Sequence, residues 1–521
     1  MSRKDRAASG FLSSIIQFGV QVALQIALAP VVLKVAGKET LGAYAAVMQF
    51  LGYLNLLDFG VGIGLERFLA QASGLGDGGQ RFRAVFTTAR STGIVTNAIF
   101  AVLTLIYTLY VGRLFHLSAP VAHQAVLALR VIAIWAVLRV PLVSYNSALT
   151  AAQDMTATNL IAIVMNSLRV LTSLGLVLAG FGLFGLMISA SLVEFVATLA
   201  YRARFRRLHP QWMPGWGIPD KALFREMLSF GTHAMLINIG STLVFNSGNA
   251  LAGIVQTAKG ASVYYTTQMA AMMGYPIALR LCDMSLPAIN ELWGQGLKDR
   301  VVSALFRVQK LTLMLTMPLA AGVLLFNHDL VVAWVGPAQY AGLGVTAALA
   351  ALCMIIGVEH IASIFCFTTG FVGPQTVATL LEAAANVCLG LWLGRTIGLA
   401  GIAWSLVMVV TPYTIYLMSR LAQELRFGVT RLLASSFLRP LPAVLLASAS
   451  GLLVRHLLVH RSVPAGHRFL LLISESLAFT LVYAVAAYNF AMTTVDRQDI
   501  RSYLGRFSSA FAKPMPASEI K

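Results

Sequence analysis

From residue 11 to residue 491 the chain is a succession of apolar runs, most of about 20 residues or more, with short polar breaks between them. A run of about 20 apolar residues matches a helix that crosses a bilayer. Hydrocarbon gives the backbone no water to bond, so membrane-spanning chains fold as helices or as closed barrels. Barrel strands alternate apolar and polar positions over about ten residues. The runs here are longer and do not alternate. The chain therefore reads as an all-α polytopic membrane protein. Its 521 residues are 58% hydrophobic and only 11% charged, against about 25% charged in soluble domains.

Fourteen spans are predicted, near 11–33, 41–64, 86–111, 124–148, 156–179, 182–201, 226–250, 261–288, 304–326, 343–369, 375–394, 398–418, 436–458 and 469–491. The first imitates a signal peptide, with Ala27-Leu28-Ala29 as a false cleavage site. A run of about 23 residues carrying Gln17, Gln21 and Gln25 reads instead as a retained helix.

Lysine and arginine set the orientation. With the N-terminus inside, the inward segments hold 26 basic residues and the outward connections hold 8. Both termini are thus expected on the cytoplasmic side of the membrane. The net charge of +18 then belongs to loops facing anionic headgroups. No nucleic-acid module is visible, and no nucleic acid is expected as a partner. The cysteines, Cys282, Cys353, Cys366 and Cys388, all fall in apolar runs without metal-ligand spacing. They read as buried small hydrophobes, and no metal or bound cofactor is expected.

The stretch RARFRRLHPQWMPGWGIPDK, 202–221, divides six spans from eight. Trp212 and Trp216 suit a headgroup region there. Phe18-Gly19, Tyr44 and Gly52-Tyr53 are echoed by Phe230-Gly231, Tyr264-Tyr265 and Gly274-Tyr275. Six spans per repeat is even, so both repeats start on one side, related by a pseudo-two-fold along the membrane normal. The expected organisation is an N-terminal lobe at 1–201, a cytoplasmic linker at 202–225 and a C-terminal lobe at 226–420. Two extra helices follow within 421–491, then a cytoplasmic tail at 492–521.

Four arginines, Arg130, Arg139, Arg169 and Arg280, fall inside predicted spans. A central arginine costs about 2.5–3.5 kcal/mol on insertion scales, so each reads as a functional candidate. Arg130 and Arg139 stand nine residues apart and point to opposite faces of a straight helix, unless Pro141 bends it. Polar stripes accompany them: Gln17, Gln21 and Gln25; Asn159, Asn166 and Ser173; Asn238, Thr242, Asn246 and Asn249. One stripe alone would be helix–helix glue. Three, with four arginines, suggest a water-accessible cavity. In GYPIALRLCDMSLP, 274–287, Pro276 and Pro287 flank Arg280 and Asp283, which stand three apart and can pair on one face. Both prolines can interrupt the helix. The other intramembrane acids are Asp58, Glu194, Glu359 (beside His360), Glu382 and Glu475. Such carboxylates can carry a proton or hold sodium, or simply pair locally. DFGVGIG, 58–64, lacks the Lys-Ser/Thr ending of a phosphate loop.

The stretch YLNLLDFGVGIGLERFLAQ, 53–71, resembles a motif that ends the second helix of polysaccharide flippases. Asp58, Phe59 and Gly60 match its Asp-Phe-Gly, and Arg67 and Phe68 match its Arg-aromatic pair. Span number, length and mid-chain basic linker also resemble Wzx-type O-antigen or oligosaccharide flippases of the multidrug/oligosaccharidyl-lipid/polysaccharide exporter superfamily. The resemblance implies a transporter rather than an enzyme. It implies translocation of an undecaprenyl-pyrophosphate-linked oligosaccharide to the periplasmic leaflet by alternating access. Membrane lipids, a polysaccharide polymerase and chain-length proteins are further implied partners, with H+ or Na+ as coupling ion.

On this reading Arg280 and either Arg130 or Arg139 hold the pyrophosphate, with Arg169 ranked after them, since guanidinium forks suit phosphate. Gln21, Gln25, Asn238 and Asn246 suit sugar hydroxyls. Asp58 and Arg67 form a gate or clamp, and Asp283, Glu359 and Glu382 serve gating or ion coupling. Span 1 lacks the arginine cluster of lipid II flippases, which points away from peptidoglycan precursor. Two alternatives stand beside this reading. A multidrug cation exporter of the same superfamily would need an acidic, aromatic pocket. A membrane polysaccharide polymerase or ligase would need long periplasmic loops, whereas the longest outward connection is about a dozen residues, near 112–123.

Overall fold

The computed structural model describes residues 3–55, 61–73, 79–138, 144–152, 154–215, 217, 220–459, 468–494 and 496–498. Every regular element among them is helical. The first part of the chain forms α1 (Arg3–Val35), α2 (Gly37–Asn55), α3 (Val61–Ser73), α4 (Gln80–Leu114), α5 (Ala119–Leu138) and α6 (Tyr145–Ala151). It continues with α7 (Met155–Leu178), α8 (Gly182–Leu208), α9 (Lys221–Phe245), α10 (Gly248–Val255), α11 (Ala258–Gly294) and α12 (Lys298–Val335). Last come α13 (Leu343–Thr368), α14 (Val372–Ile397), α15 (Leu399–Leu425), α16 (Val429–Leu438), α17 (Leu441–Val459) and α18 (Arg468–Ala486), the last ending in a π turn at Ala487–Ala491.

Each predicted span coincides with a helix or a pair of helices. Among the described residues, ten helical stretches are long and apolar enough to cross a membrane. They contain α4, α5, α7, α8 and α12–α18. The predicted spans outside this set are the first, second, seventh and eighth, on α1, α2, α9 and α11. These carry Gln17, Gln21 and Gln25, the Asn238 stripe, and Arg280 with Asp283.

The abrupt junctions are made by glycine. Gly180 (φ 89°) separates α7 from α8, and Gly398 (φ 70°) separates α14 from α15. At both, the backbone is in the left-handed region that costs other residues about 1–2 kcal/mol.

The chain divides into two compact units. The first comprises 1–273, 331–348 and 369–417; the second comprises 274–330, 349–368 and 418–521. Within the first, α4 packs on α5, α7 on α8 and on α1, and α14 on α9. One core there is aromatic: Phe82, Phe86, Tyr145 and Phe205 are buried together with Phe68. The linker is fastened to this core. Trp212 stacks on Phe82 with centroids 4.7 Å apart, Arg90 donates to Gly215 O, and Ser91 Oγ donates to Gly217 O at 2.8 Å. In the second unit α17 and α18 pair, and Phe326, Ala447, Leu472 and Phe479 form their core with α12.

Several expectations change. Pro276 and Pro287 do not interrupt a helix: α11 runs unbroken through both, as membrane helices permit where neighbours satisfy the freed backbone groups. The span at 226–250 is not one helix, because it ends at Phe245 and restarts at Gly248. Asn249 is therefore off the stripe of Asn238 and Asn246; its Oδ1 accepts from Gln268 Nε2 at 2.8 Å. Cys388 is exposed rather than buried. It shares the outer face of α14 with Leu381 and Trp392, both more than 60% exposed.

Candidate functional site

In the first unit a cavity of about 630 Å³ lies among α2, α4, α6, α7 and α8. On α7 its wall is Ala162, Met165, Asn166 and Arg169, and on α8 it is Ala190, Val193, Glu194, Ala197, Thr198 and Tyr201. Both sets follow three- and four-residue steps, which place them on one face of each helix. Thr96, Asn97 and Phe100 come from α4, Met48 and Leu54 from α2, and Ser144, Tyr145 and Asn146 from the start of α6. Ser144 has φ 76°, a conformation that is costly away from glycine and often kept at functional sites.

The lining mixes one cation, one carboxylate, amides, hydroxyls and aromatic rings. Arg169 is half-buried, and no carboxylate among the described residues forms an ion pair with it. Asn97 already spends an N–H on Gly93 O at 2.8 Å, and the Thr198 hydroxyl donates to Glu194 O at 2.8 Å. A smaller cavity of about 80 Å³ shares Met48, Phe100, Ala190 and Glu194 with the first, and adds Ile132, Trp135 and Ala136 of α5. A guanidinium with amides around it can hold a phosphate or a glycan hydroxyl set.

Among the described residues, the sequence-derived candidates that line this cavity are Arg169, Asn166 of the polar stripe and the acid Glu194. Arg130 is exposed on α5 and lines neither cavity. Gln21 and Gln25 are half-buried on α1, and Asn238 and Asn246 are exposed. Arg280 is exposed on α11. Asp58 and Arg139 lie outside the described residues, and Arg67 sits in α3 with its side chain undescribed. In the second unit, His360 on α13 hydrogen-bonds Asp283 on α11 at 2.7 Å, beside the buried Glu359.

Glu382 belongs to a buried polar face of α14 with Gln375, Thr379 and Asn386. Thr379 Oγ1 and the Tyr413 hydroxyl are 2.7 Å apart. Asn386 donates to Val244 O at 3.2 Å and to Ser247 Oγ at 2.9 Å. Cavity-wall residues not chosen from sequence are Asn97, Tyr145 and Tyr201. Nothing in their local sequence sets them apart; they become wall residues only through the packing of α4, α6, α7 and α8.

The fold defines a multi-pass helical membrane protein. The chain aligns with an inward-facing conformation of a multidrug resistance MATE family transporter of the MOP superfamily at TM-score 0.62 and 16% identity, covering 78% of this chain and 94% of that one. An outward-facing conformation of such a transporter aligns at TM-score 0.58 and 16% identity, covering 81% and 96%. No curated protein matches the sequence. Residues 35–341, more than half the chain, match the family model described as "Polysaccharide biosynthesis protein". The chain belongs to that family.

Proposed function

We propose that the protein is a flippase that moves an undecaprenyl-pyrophosphate-linked oligosaccharide from the cytoplasmic to the periplasmic leaflet of a bacterial inner membrane, by alternating access. The observation that carries this is the 630 Å³ cavity, where Arg169, in no ion pair among the described residues, stands amid Asn97, Asn146 and Asn166. Family membership supports a polysaccharide precursor as cargo. In this reading Arg169 neutralises phosphate charge, the amides and hydroxyls take glycan hydroxyls, and the lipid chain stays in the bilayer. Both termini are cytoplasmic. Glu382, and the Asp283–His360 pair with Glu359, are where H+ or Na+ would couple to the cycle.

A second reading, a multidrug cation exporter, is favoured by Glu194 together with Tyr145, Tyr201 and Phe100 in the same cavity. The test is lipid extraction from cells lacking the gene, combined with an assay of leaflet sidedness. Accumulation of an undecaprenyl-pyrophosphate oligosaccharide in the cytoplasmic leaflet is expected. No accumulation, with altered sensitivity to cationic drugs, would replace this reading with the second.

A further inference from the structure

Helix α8 leaves its apolar stretch through Arg202, Arg204, Arg206 and Arg207. These four arginines are treated differently by the fold. Arg204 is neutralised, with Nε 2.9 Å from Asp154 Oδ2. Arg202, Arg206 and Arg207, with Leu199 and Ala203, line a separate groove of about 470 Å³. Positions 199, 202, 203 and 206 share one face of the helix.

No carboxylate among the described residues forms an ion pair with these three arginines. Arg202 and Arg206, four apart on the helix, repel. Among the described residues a carboxylate is supplied to Arg204 and none to these three, which leaves them open to an external anion.

The groove also has an apolar approach. Leu199 and Leu192, each 41% exposed, are seven residues apart and continue the same face up the membrane-spanning part of α8. The ligand that fits is an anion at the polar boundary attached to a chain that lies in the hydrocarbon. Three forked guanidiniums suit phosphate oxygens bidentately, and three positive charges are balanced more nearly by a diphosphate than by one phosphodiester. The groove also adjoins the candidate site. Arg202 lies beside Tyr145 of α6, and Tyr145 and Tyr201, the latter preceding Arg202 on α8, both line the 630 Å³ cavity.

We propose that the groove of Arg202, Arg206 and Arg207 is a docking site for the diphosphate head of a polyprenyl-linked lipid, whose chain lies along Leu192 and Leu199. The inference rests on the flippase reading and adds to it the place where the substrate is held before entering the cavity.

The test uses the full chain in phosphatidylcholine nanodiscs, titrated with undecaprenyl diphosphate. Wild type is compared with Arg206→Gln/Arg207→Gln, Arg206→Lys/Arg207→Lys and, as a control, Arg204→Gln. The glutamine pair is expected to weaken binding at least tenfold with an unchanged melting temperature. The lysine pair, which keeps charge and loses the fork, falls between, and Arg204→Gln binds like wild type. Binding by wild type that the glutamine pair retains would overturn the docking site and leave the flippase reading standing. Absence of binding by wild type would overturn both. Phosphatidylglycerol competing as well as the diphosphate would make the groove a general anionic-lipid surface and overturn the proposal.

Discussion

His360 on α13 donates its Nε2–H to Asp283 Oδ1 on α11 across 2.7 Å. The sequence placed Asp283 within reach of Arg280 three residues earlier; the fold gives it a histidine from another helix. Asp283 is about half exposed, with its side chain at 53%. Its expected importance is to the transport cycle. Asp283→Asn and His360→Gln should each lower export severalfold while melting close to wild type. The double variant should be no worse than the poorer single, as for residues acting through one contact. Export assays and thermal melts of the purified variants check this; additive losses would separate the two residues.

Arg169 is the intramembrane arginine that lines the candidate cavity. Arg169→Ala should cut export at least tenfold, with membrane insertion and melting temperature preserved. Arg169→Lys, retaining charge without the planar fork, should recover part of it. Arg130→Ala should cost less, because Arg130 lines neither cavity. Equal losses for the two alanine variants would remove the cavity from its special role.

The helices were largely legible because their signal is local. Apolar runs of sufficient length must be helical in hydrocarbon, and Gly180 and Gly398 mark where they turn. The break between α9 and α10 was not legible, since its causes come from distant helices. The Tyr53 hydroxyl donates to Asn246 O, Gln49 Oε1 accepts from Ala250 N–H at 2.8 Å, and Asn386 donates to Val244 O. These side chains satisfy backbone groups that a continuous helix would have bonded itself. The cavity was half legible for the same reason. Arg169 and Asn166 announce themselves as polar residues in an apolar run, while Tyr145, Tyr201 and Asn97 become wall residues only through how α4, α6, α7 and α8 pack.

At Gly42, α2 passes close to the start of α11. A Cβ at Gly42 would lie 1.6 Å from Ala258 O and 2.8 Å from Ser262 N. Both are backbone atoms, so no side chain can swing aside. Gly42→Ala should therefore force the helices apart and destabilise the protein by about 1–3 kcal/mol. Gly52→Ala, on the same helix with nothing within 4 Å of its Cβ, is the control and should be near neutral. Thermal melts of the two variants decide it; an unshifted Gly42→Ala would mean that the two backbones do not meet.

Asp496 follows the π turn after α18 and is buried at 4% exposure. Burial raises a carboxyl's pKa, but here hydrogen bonds from Lys310 and from the Thr493 hydroxyl and N–H outweigh it and hold Asp496 below its ordinary 3.8. Thr493 Oγ1 and N lie 2.6 and 2.9 Å from Oδ2, and Arg307 Nε is 3.7 Å from Oδ1. A carboxylate with a depressed folded pKa contributes stability that is complete above the unfolded pKa and is lost as pH falls through the folded value. The contact is thus complete at neutral pH and is lost only below pH 3.8. Asp496→Asn should destabilise the attachment of this segment to α12 by about 3–5 kcal/mol, since it leaves Lys310 buried without its counter-charge. The difference from wild type should be constant between about pH 8 and pH 5 and should shrink in stronger acid. Limited proteolysis after residue 491, followed across pH, reads this directly. A difference that already fades near neutral pH would show that Asp496 is not held as a low-pKa carboxylate by Lys310 and Thr493.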